Sequence, residues 1–311
     1  MQTMLFDRYG RPLRTLRIVI NNECNYRCIY CHKEGMYRNK DERALSLEEL
    51  KAITKIASKL GIDRFKITGG EPLLHDDIVD IVKWLTELKP SDISMTTNGF
   101  HLATFATRLA EAGLQRVNIG LPSLNRNKFR YVTGIDALNI VIKGIDIAKD
   151  AFPKPMTINV VVLKNINEHE YLDFIGFASR FNARLRFIEL EPIGEGKKDF
   201  NELYTSLDKI VEFLEGISIK KYIRDVNLRP VYVLDNGIEV EIVRWYRNHK
   251  FCLYCDRIRL YSNRTLKPCV GLNDYIDLRR CLEPKIDEEC IEMMMIYINN
   301  VRKPFWSTNL T

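Results

Sequence analysis

Short apolar runs alternate with amphipathic stretches along most of the chain. "LRIVI" (16–20) reads as a strand. In "SLEELKAITKIASKL", Leu50, Ile53, Ala57 and Leu60 recur at three- and four-residue steps and make one face of a helix. Ser46 and Glu49 supply the reciprocal capping pattern that starts such a helix. The pattern continues with strands at "RFKIT" (64–68), "DISMT" (92–96), "RVNIGL" (116–121), "MTINVVVL" (156–163) and "RLRFIEL" (184–190). Helices are predicted between them at 76–88, 101–112, 135–149 and 168–181. This spacing predicts an α/β fold with helices covering a parallel sheet. About six such units fit a partial (β/α)6-type barrel better than a closed eight-fold one.

In such sheets the loops that leave the carboxyl ends of the strands converge on one mouth. Here these loops are "CNYRCIYC", "TGGEP", "TTNG" and "ELEPIGEG". Near residue 192 the pattern changes, dividing a barrel core (1–191) from a carboxyl-terminal extension (192–311). The extension holds a hairpin about Asp235-Asn236-Gly237, more cysteines and a final helix near 283–302. Ile286, Cys290, Met294, Tyr297 and Val301 are expected to be the packed face of that helix.

Composition narrows the class. The chain is 311 residues long, 46% apolar and 28% charged, as expected of a globular protein. No apolar run approaches the roughly 20 residues of a membrane span. The amino-terminal stretch has no apolar signal region, so a cytoplasmic protein without a membrane partner is expected. No Lys/Arg block interleaved with aromatics argues for nucleic acid. The net charge of +6 suits an anionic small substrate and an ordinary soluble surface equally.

Eight cysteines in a cytosolic chain are not expected to form disulfides, and tight spacing points instead to metal or cluster ligation. Cys24, Cys28 and Cys31 are spaced C-x3-C-x2-C, and Cys252, Cys255 and Cys269 are spaced C-x2-C-x13-C. A closed zinc site needs a fourth ligand, which Cys281 or His249 could add to the second trio. Alternatively, each trio holds an iron–sulfur cluster with one iron open to an external ligand. "DRIRL" places Arg257 and Arg259 on one side of an extended segment beside the second trio, and guanidinium forks match phosphate oxygens.

"CNYRCIYC" and "TGGEP" resemble the signatures of the radical S-adenosylmethionine superfamily. Over most of the chain, from "FDRYGRPLRTLRI" through "TTNG", "AGLQRVNI" and "RFIEL" to "CxxCDRIRL…LKPC", the sequence resembles the GTP 3′,8-cyclase family of molybdenum cofactor biosynthesis. The resemblance implies two 4Fe–4S clusters and S-adenosylmethionine as cofactors, with the six cysteines of the two trios as iron ligands. It places Tyr30 near the adenine, Gly70 and Glu71 at the methionine amino group, and Gly120 and Glu191 at further cofactor positions. Arg17, Arg257 and Arg259 stand where that family contacts GTP. Lys66, Thr96 and Thr157 occupy further nucleotide positions, and Arg186 a triphosphate or radical-site position. Arg17, Arg186, Arg257 and Arg259 form the implied catalytic set.

In that family a deoxyadenosyl radical takes hydrogen from the ribose 3′ carbon, and the sugar radical attacks C8 of the base. The implied partners are GTP, an external electron donor and a second copy of the chain. Four positions depart from the family pattern. Lys66 replaces arginine, Gly120 and Pro122 replace serine and aspartate, and Thr157 replaces a phosphate-binding lysine for which Lys154 or Lys164 could compensate. The chain ends in "STNLT" where many members end in Gly-Gly. Other readings are a radical enzyme with an auxiliary cluster acting on another nucleotide or a peptide, and a two-site zinc module that binds RNA.

Overall fold

The computed structural model describes residues 4–35 and 44–307. The departing terminus "STNLT" lies outside them from residue 308 onward. The strands are β1 (Thr15–Val19), β2 (Arg64–Thr68), β3 (Asp92–Thr97), β4 (Arg116–Gly120), β5 (Thr157–Val162), β6 (Arg184–Glu189), β7 (Ser218–Ile223), β8 (Pro230–Leu234), β9 (Glu239–Val243), β10 (Arg257–Tyr261), β11 (Thr265–Lys267) and β12 (Ile276–Asp277). The helices are α1 (Leu47–Lys59), α2 (Ile78–Glu87), α3 (Leu102–Glu111), α4 (Arg126–Thr133), α5 (Leu138–Ala148), α6 (Tyr171–Arg180), α7 (Phe200–Leu203), α8 (Asp208–Ile217), α9 (His249–Leu253), α10 (Arg279–Leu282) and α11 (Glu288–Val301).

Among the described residues the twelve strands form one sheet in the order β12-β11-β10-β1-β2-β3-β4-β5-β6-β9-β8-β7. The eight strands from β10 to β9 are parallel throughout. The outer strands add antiparallel pairs at both edges. The expected α/β architecture is present, as an open arrangement with two distinct ends. Strands of the carboxyl-terminal third do not form a separate layer: β10 pairs with β1 and β9 with β6.

Along each central strand one set of alternate residues is apolar and buried. Leu16, Ile18, Phe65, Ile67, Leu185 and Phe187 belong to the single large core under the helices. The opposite set is mostly polar or charged, with Val161, Ile188 and Val243 as apolar members near the carboxyl ends, so the inner face of the sheet carries the chemistry.

Start signals in the sequence operate as read. Ser46 Oγ accepts from Glu49 N at 3.2 Å, and Glu49 Oε2 accepts from Ser46 N at 2.7 Å. α4 was not expected, because its few apolar residues give little periodicity. Asn125 caps it by accepting from Asn127 N and Lys128 N, and Gly134 ends it at φ 77°.

Two expectations are corrected. The final helix is shorter, and its buried face is Ile291, Met295, Ile298 and Asn299, while Tyr297 is exposed. Ile291, Met295 and Ile298 join the large core, and Ile286, Cys290, Met294 and Val301 pack against it partly buried, so Tyr297 alone of the expected face turns outward. Second, Cys281 and Cys290 form a disulfide across the turn from α10 to α11. Asp287 N donates to Cys281 O at 2.8 Å and folds that turn back, bringing the two thiols together. Among the described residues no helix is long and apolar enough to cross a membrane.

Candidate active site

Register brings the inner-face residues together. Arg259, Arg17 and Lys66 are neighbours on β10, β1 and β2. Gly120, Asn159, Arg186 and Glu241 are neighbours on β4, β5, β6 and β9. Of these, all but Glu241 line a cavity of about 320 Å³ together with Thr96, Arg257, Tyr30, Gly70, Glu191 and all six cysteines of the two trios.

The trios sit at opposite ends of this lumen. Cys24, Cys28 and Cys31 lie in the loop that leaves the carboxyl end of β1. Cys252 and Cys255 immediately precede β10, which runs parallel to β1, and Cys269 follows the antiparallel β11. The second trio therefore lies at the amino end of β10, and five residues of strand separate the ends by roughly 16 Å. All six thiols are free of disulfides. Cys24 Sγ accepts from Tyr26 N at 3.4 Å and Asn98 Nδ2 at 3.8 Å, and Cys31 Sγ accepts from Lys33 N at 3.4 Å.

Burial, together with the thiols of Cys31 and Cys24, pushes the Cys28 thiol well up. Cys255 goes the other way. Burial would raise it, but Arg257 and Arg302 outweigh burial and hold it below the usual thiol range. Among the described residues no three His, Cys, Asp or Glu side chains converge on a point that could hold one metal ion. Cys281, the candidate fourth zinc ligand, is tied up in its disulfide.

Between the trios the wall is cationic. Arg17 Nη2 donates to Glu34 Oε1, which also accepts from Thr68 Oγ1 at 2.8 Å. Arg259 Nε lies 3.7 Å from Glu34 Oε2. Arg257 Nη2 donates to Asn227 Oδ1. The Nε atoms of Arg17, Arg257 and Arg259 and the hydroxyl of Thr96 are buried without a hydrogen-bond partner. Lys66 has no acidic partner among the described residues. Burial and the surrounding Arg17, Arg186, Arg116 and Arg257 hold its ammonium well below the usual lysine range.

Two expected residues are placed elsewhere. Glu71 is fully buried, and its carboxylate accepts from Leu73 N at 3.0 Å, Thr97 Oγ1 at 2.7 Å and Asn98 N at 2.7 Å. Burial pushes it up to about 7 against those donors. Its acceptors are committed to the protein, and Glu71 does not line the cavity. Thr157 shares the inner face but pairs in register with Asn118 and Arg184, nearer the amino ends of the strands, and is also outside the cavity lining. Lys154 is held on Asp92 at 3.0 Å, and Lys164 is exposed, so neither stands in for a lysine at 157.

Gly70 is explained by the protein itself: a Cβ there would lie 2.0 Å from Glu23 O. Gly120 leaves open space, since a Cβ there would meet only Thr97 O, at 3.9 Å. Sequence reading passed over Glu34, Asn159, Glu189 and Arg229. The alternation of "TINVVV" carries a signal for Asn159, which shares a face with Thr157. Arg229 lies in a loop with no local signal.

Comparisons with known proteins agree with this geometry. The radical SAM superfamily model matches residues 18–178, and the Molybdenum Cofactor Synthesis C model matches residues 183–307. Streptococcus suis SuiB bound to S-adenosylmethionine has the same fold, with a TM-score of 0.65 at 15% identity over 88% of this chain and 65% of that chain, just under two thirds of it. The structure of anSMEcpe with bound AdoMet gives a TM-score of 0.57 at 19% identity, over 90% of this chain and 83% of that one. Fold and matched models thus define a radical S-adenosylmethionine enzyme, a class that works with a 4Fe–4S cluster and S-adenosylmethionine.

The probable GTP 3′,8-cyclase of Saccharolobus solfataricus is 42% identical over 94% of both chains. That of Pyrococcus abyssi is 40% identical over 98% of this chain and 100% of its own. The chain belongs to the GTP 3′,8-cyclase family.

Proposed function

We propose that this enzyme converts GTP to 3′,8-cyclo-7,8-dihydroguanosine triphosphate in molybdenum cofactor biosynthesis, using two 4Fe–4S clusters, S-adenosylmethionine and an external electron donor. The observation that carries the reading is one cavity with a cysteine trio at each end and unpaired guanidinium nitrogens between them. That arrangement suits an anionic nucleotide lying along the lumen with one end toward each trio.

The residues fit the implied groups. Cys24, Cys28 and Cys31 would hold the first cluster, with N–H groups already directed at two of the sulfurs. Cys252, Cys255 and Cys269 would hold the second, beside Arg257 and Arg302, whose charges favour the thiolate at Cys255. When bound, the first cluster supplies the electron that cleaves S-adenosylmethionine and so starts hydrogen abstraction.

The protein binds, orients and shields. Tyr30, Gly70, Gly120 and Glu191 line the end that would take S-adenosylmethionine. Arg17, Arg257 and Arg259 offer unpaired Nε donors, and Thr96 an unpaired hydroxyl, to the nucleotide. Arg186 and Lys66 extend the cationic wall toward β6. Glu71 acts from behind, fixing the loop after β3 through Thr97 and Asn98.

The test is anaerobic reconstitution followed by quantification of 5′-deoxyadenosine with and without GTP. Strong stimulation by GTP, with a matching cyclised nucleotide, supports the proposal. Deoxyadenosine formed regardless of GTP retains the radical chemistry and redirects the substrate to another nucleotide or a peptide.

A further inference from the structure

At the β6–β9 side of the lumen one carboxylate faces three guanidiniums. Glu241 Oε2 accepts from Arg186 Nε at 2.8 Å and lies 2.7 Å from Arg186 Nη2. Arg224 Nη1 reaches the same oxygen at 3.5 Å. Arg229 Nε lies 3.0 Å from Oε1, but that oxygen has no hydrogen-bond partner, because the Arg229 N–H is directed at Val226 O, 3.4 Å away. Both Arg229 contacts use Nε, which leaves its two terminal nitrogens without an acceptor among the described residues. Arg229 lines the cavity, with its side chain only 14% exposed.

The local balance is three positive charges against one negative. An uncompensated buried guanidinium is costly unless a ligand supplies the missing charge and acceptors. The neighbouring wall makes the imbalance larger. Lys66 is unpaired among the described residues, and Glu34, the carboxylate that faces Arg17 and Arg259, is engaged by them on the opposite side. A planar fork with free terminal donors matches phosphate oxygens.

We propose that Arg229 binds the substrate's phosphates, and that Glu241 is the positioning carboxylate that holds Arg186, whose Nη1 donates to Asn159 Oδ1 at 3.0 Å, and keeps the free terminal nitrogens of Arg229 toward the lumen. This rests on the reading of the substrate as a nucleoside triphosphate.

Equilibrium binding to the cluster-loaded protein tests it, with GTP, guanosine and inorganic tripolyphosphate as probes. Losing one charge-assisted pair is expected to weaken GTP and tripolyphosphate about 10- to 100-fold in R229Q, with guanosine unchanged. E241Q is expected to weaken the same two probes by a smaller factor, also without effect on guanosine. R229Q that binds tripolyphosphate as tightly as the parent overturns the proposal. So does a parent that does not bind tripolyphosphate. A parent that binds tripolyphosphate but neither GTP nor guanosine sinks the GTP reading and leaves Arg229 as a phosphate residue. Should R229Q not fold, R229K keeps the charge and loses the fork. Selective weakening of tripolyphosphate then supports the role, and an equal loss of guanosine overturns it.

Discussion

Glu189 is one carboxylate whose environment sets a pH dependence. It lies at the carboxyl end of β6, where burial outweighs the nearby Arg244 and pushes it up to about 7. A raised carboxyl contributes stability that is fully present below its unfolded value, near 4.5, and is lost as pH rises through about 7. The apparent Tm of the parent is therefore expected to fall between pH 5 and 8 by more than that of E189Q. Parallel slopes for the two proteins would show that Glu189 is not the group responsible. Single residues were unevenly legible in the sequence. The cysteines and Arg257/Arg259 stand in motifs whose spacing is itself the signal. Thr157 and Glu71 did not reach the cavity because facing inward and reaching the lumen are different conditions. The height of a residue along the strand, and what already bonds to it, decide the second.

At the scale of elements, local signals served well where they were dense. α1 begins at the capping box that Ser46 and Glu49 spell out, and S46A is expected to cost about 1 kcal/mol in denaturant unfolding. α4 was hidden because Phe129, Val132 and Thr133 are its only buried residues, too few to set a period. Of the expected packed face of α11 only Tyr297 lies exposed, and the fully buried Ile291 and Met295 beside Cys290 and Met294 were not singled out because several faces of that helix are apolar. The Cys281–Cys290 bridge joins residues nine apart, so it closes a short loop. Replacing both cysteines by alanine is expected to cost on the order of 2–3 kcal/mol while leaving the iron content unchanged. A drop in iron would show instead that one of them serves the second trio.

For the whole molecule, the barrel class was readable from strand–helix alternation, and the edges were not. Nothing local in "RIRLY" says that it pairs with "TLRIV", because a parallel partner is chosen by the folded sheet and not by neighbouring residues. Placing the trios at opposite ends of one lumen followed only from that pairing. It gives a direct expectation: replacing Cys252, Cys255 and Cys269 together by serine should reduce iron from about eight to about four per chain. The remaining iron should still support cleavage of S-adenosylmethionine. A triple variant that retains all its iron would remove the second site.

The junction of β10 with β1 also has a consequence for how the enzyme is made. Thr15 Oγ1 donates to Asp256 Oδ2 at 3.0 Å, although the two residues are 241 positions apart. A ribosome adding about 5–20 residues per second needs roughly 12–50 seconds to cover that distance. Throughout that time the first strand lacks the neighbour that will cover it, and a bare strand edge is a template for aggregation. The first cysteine loop is likewise exposed long before the second trio exists. Expression at a pace that outruns chaperone binding should therefore favour inclusion bodies, and a holding chaperone that covers the nascent amino-terminal half should raise the soluble yield.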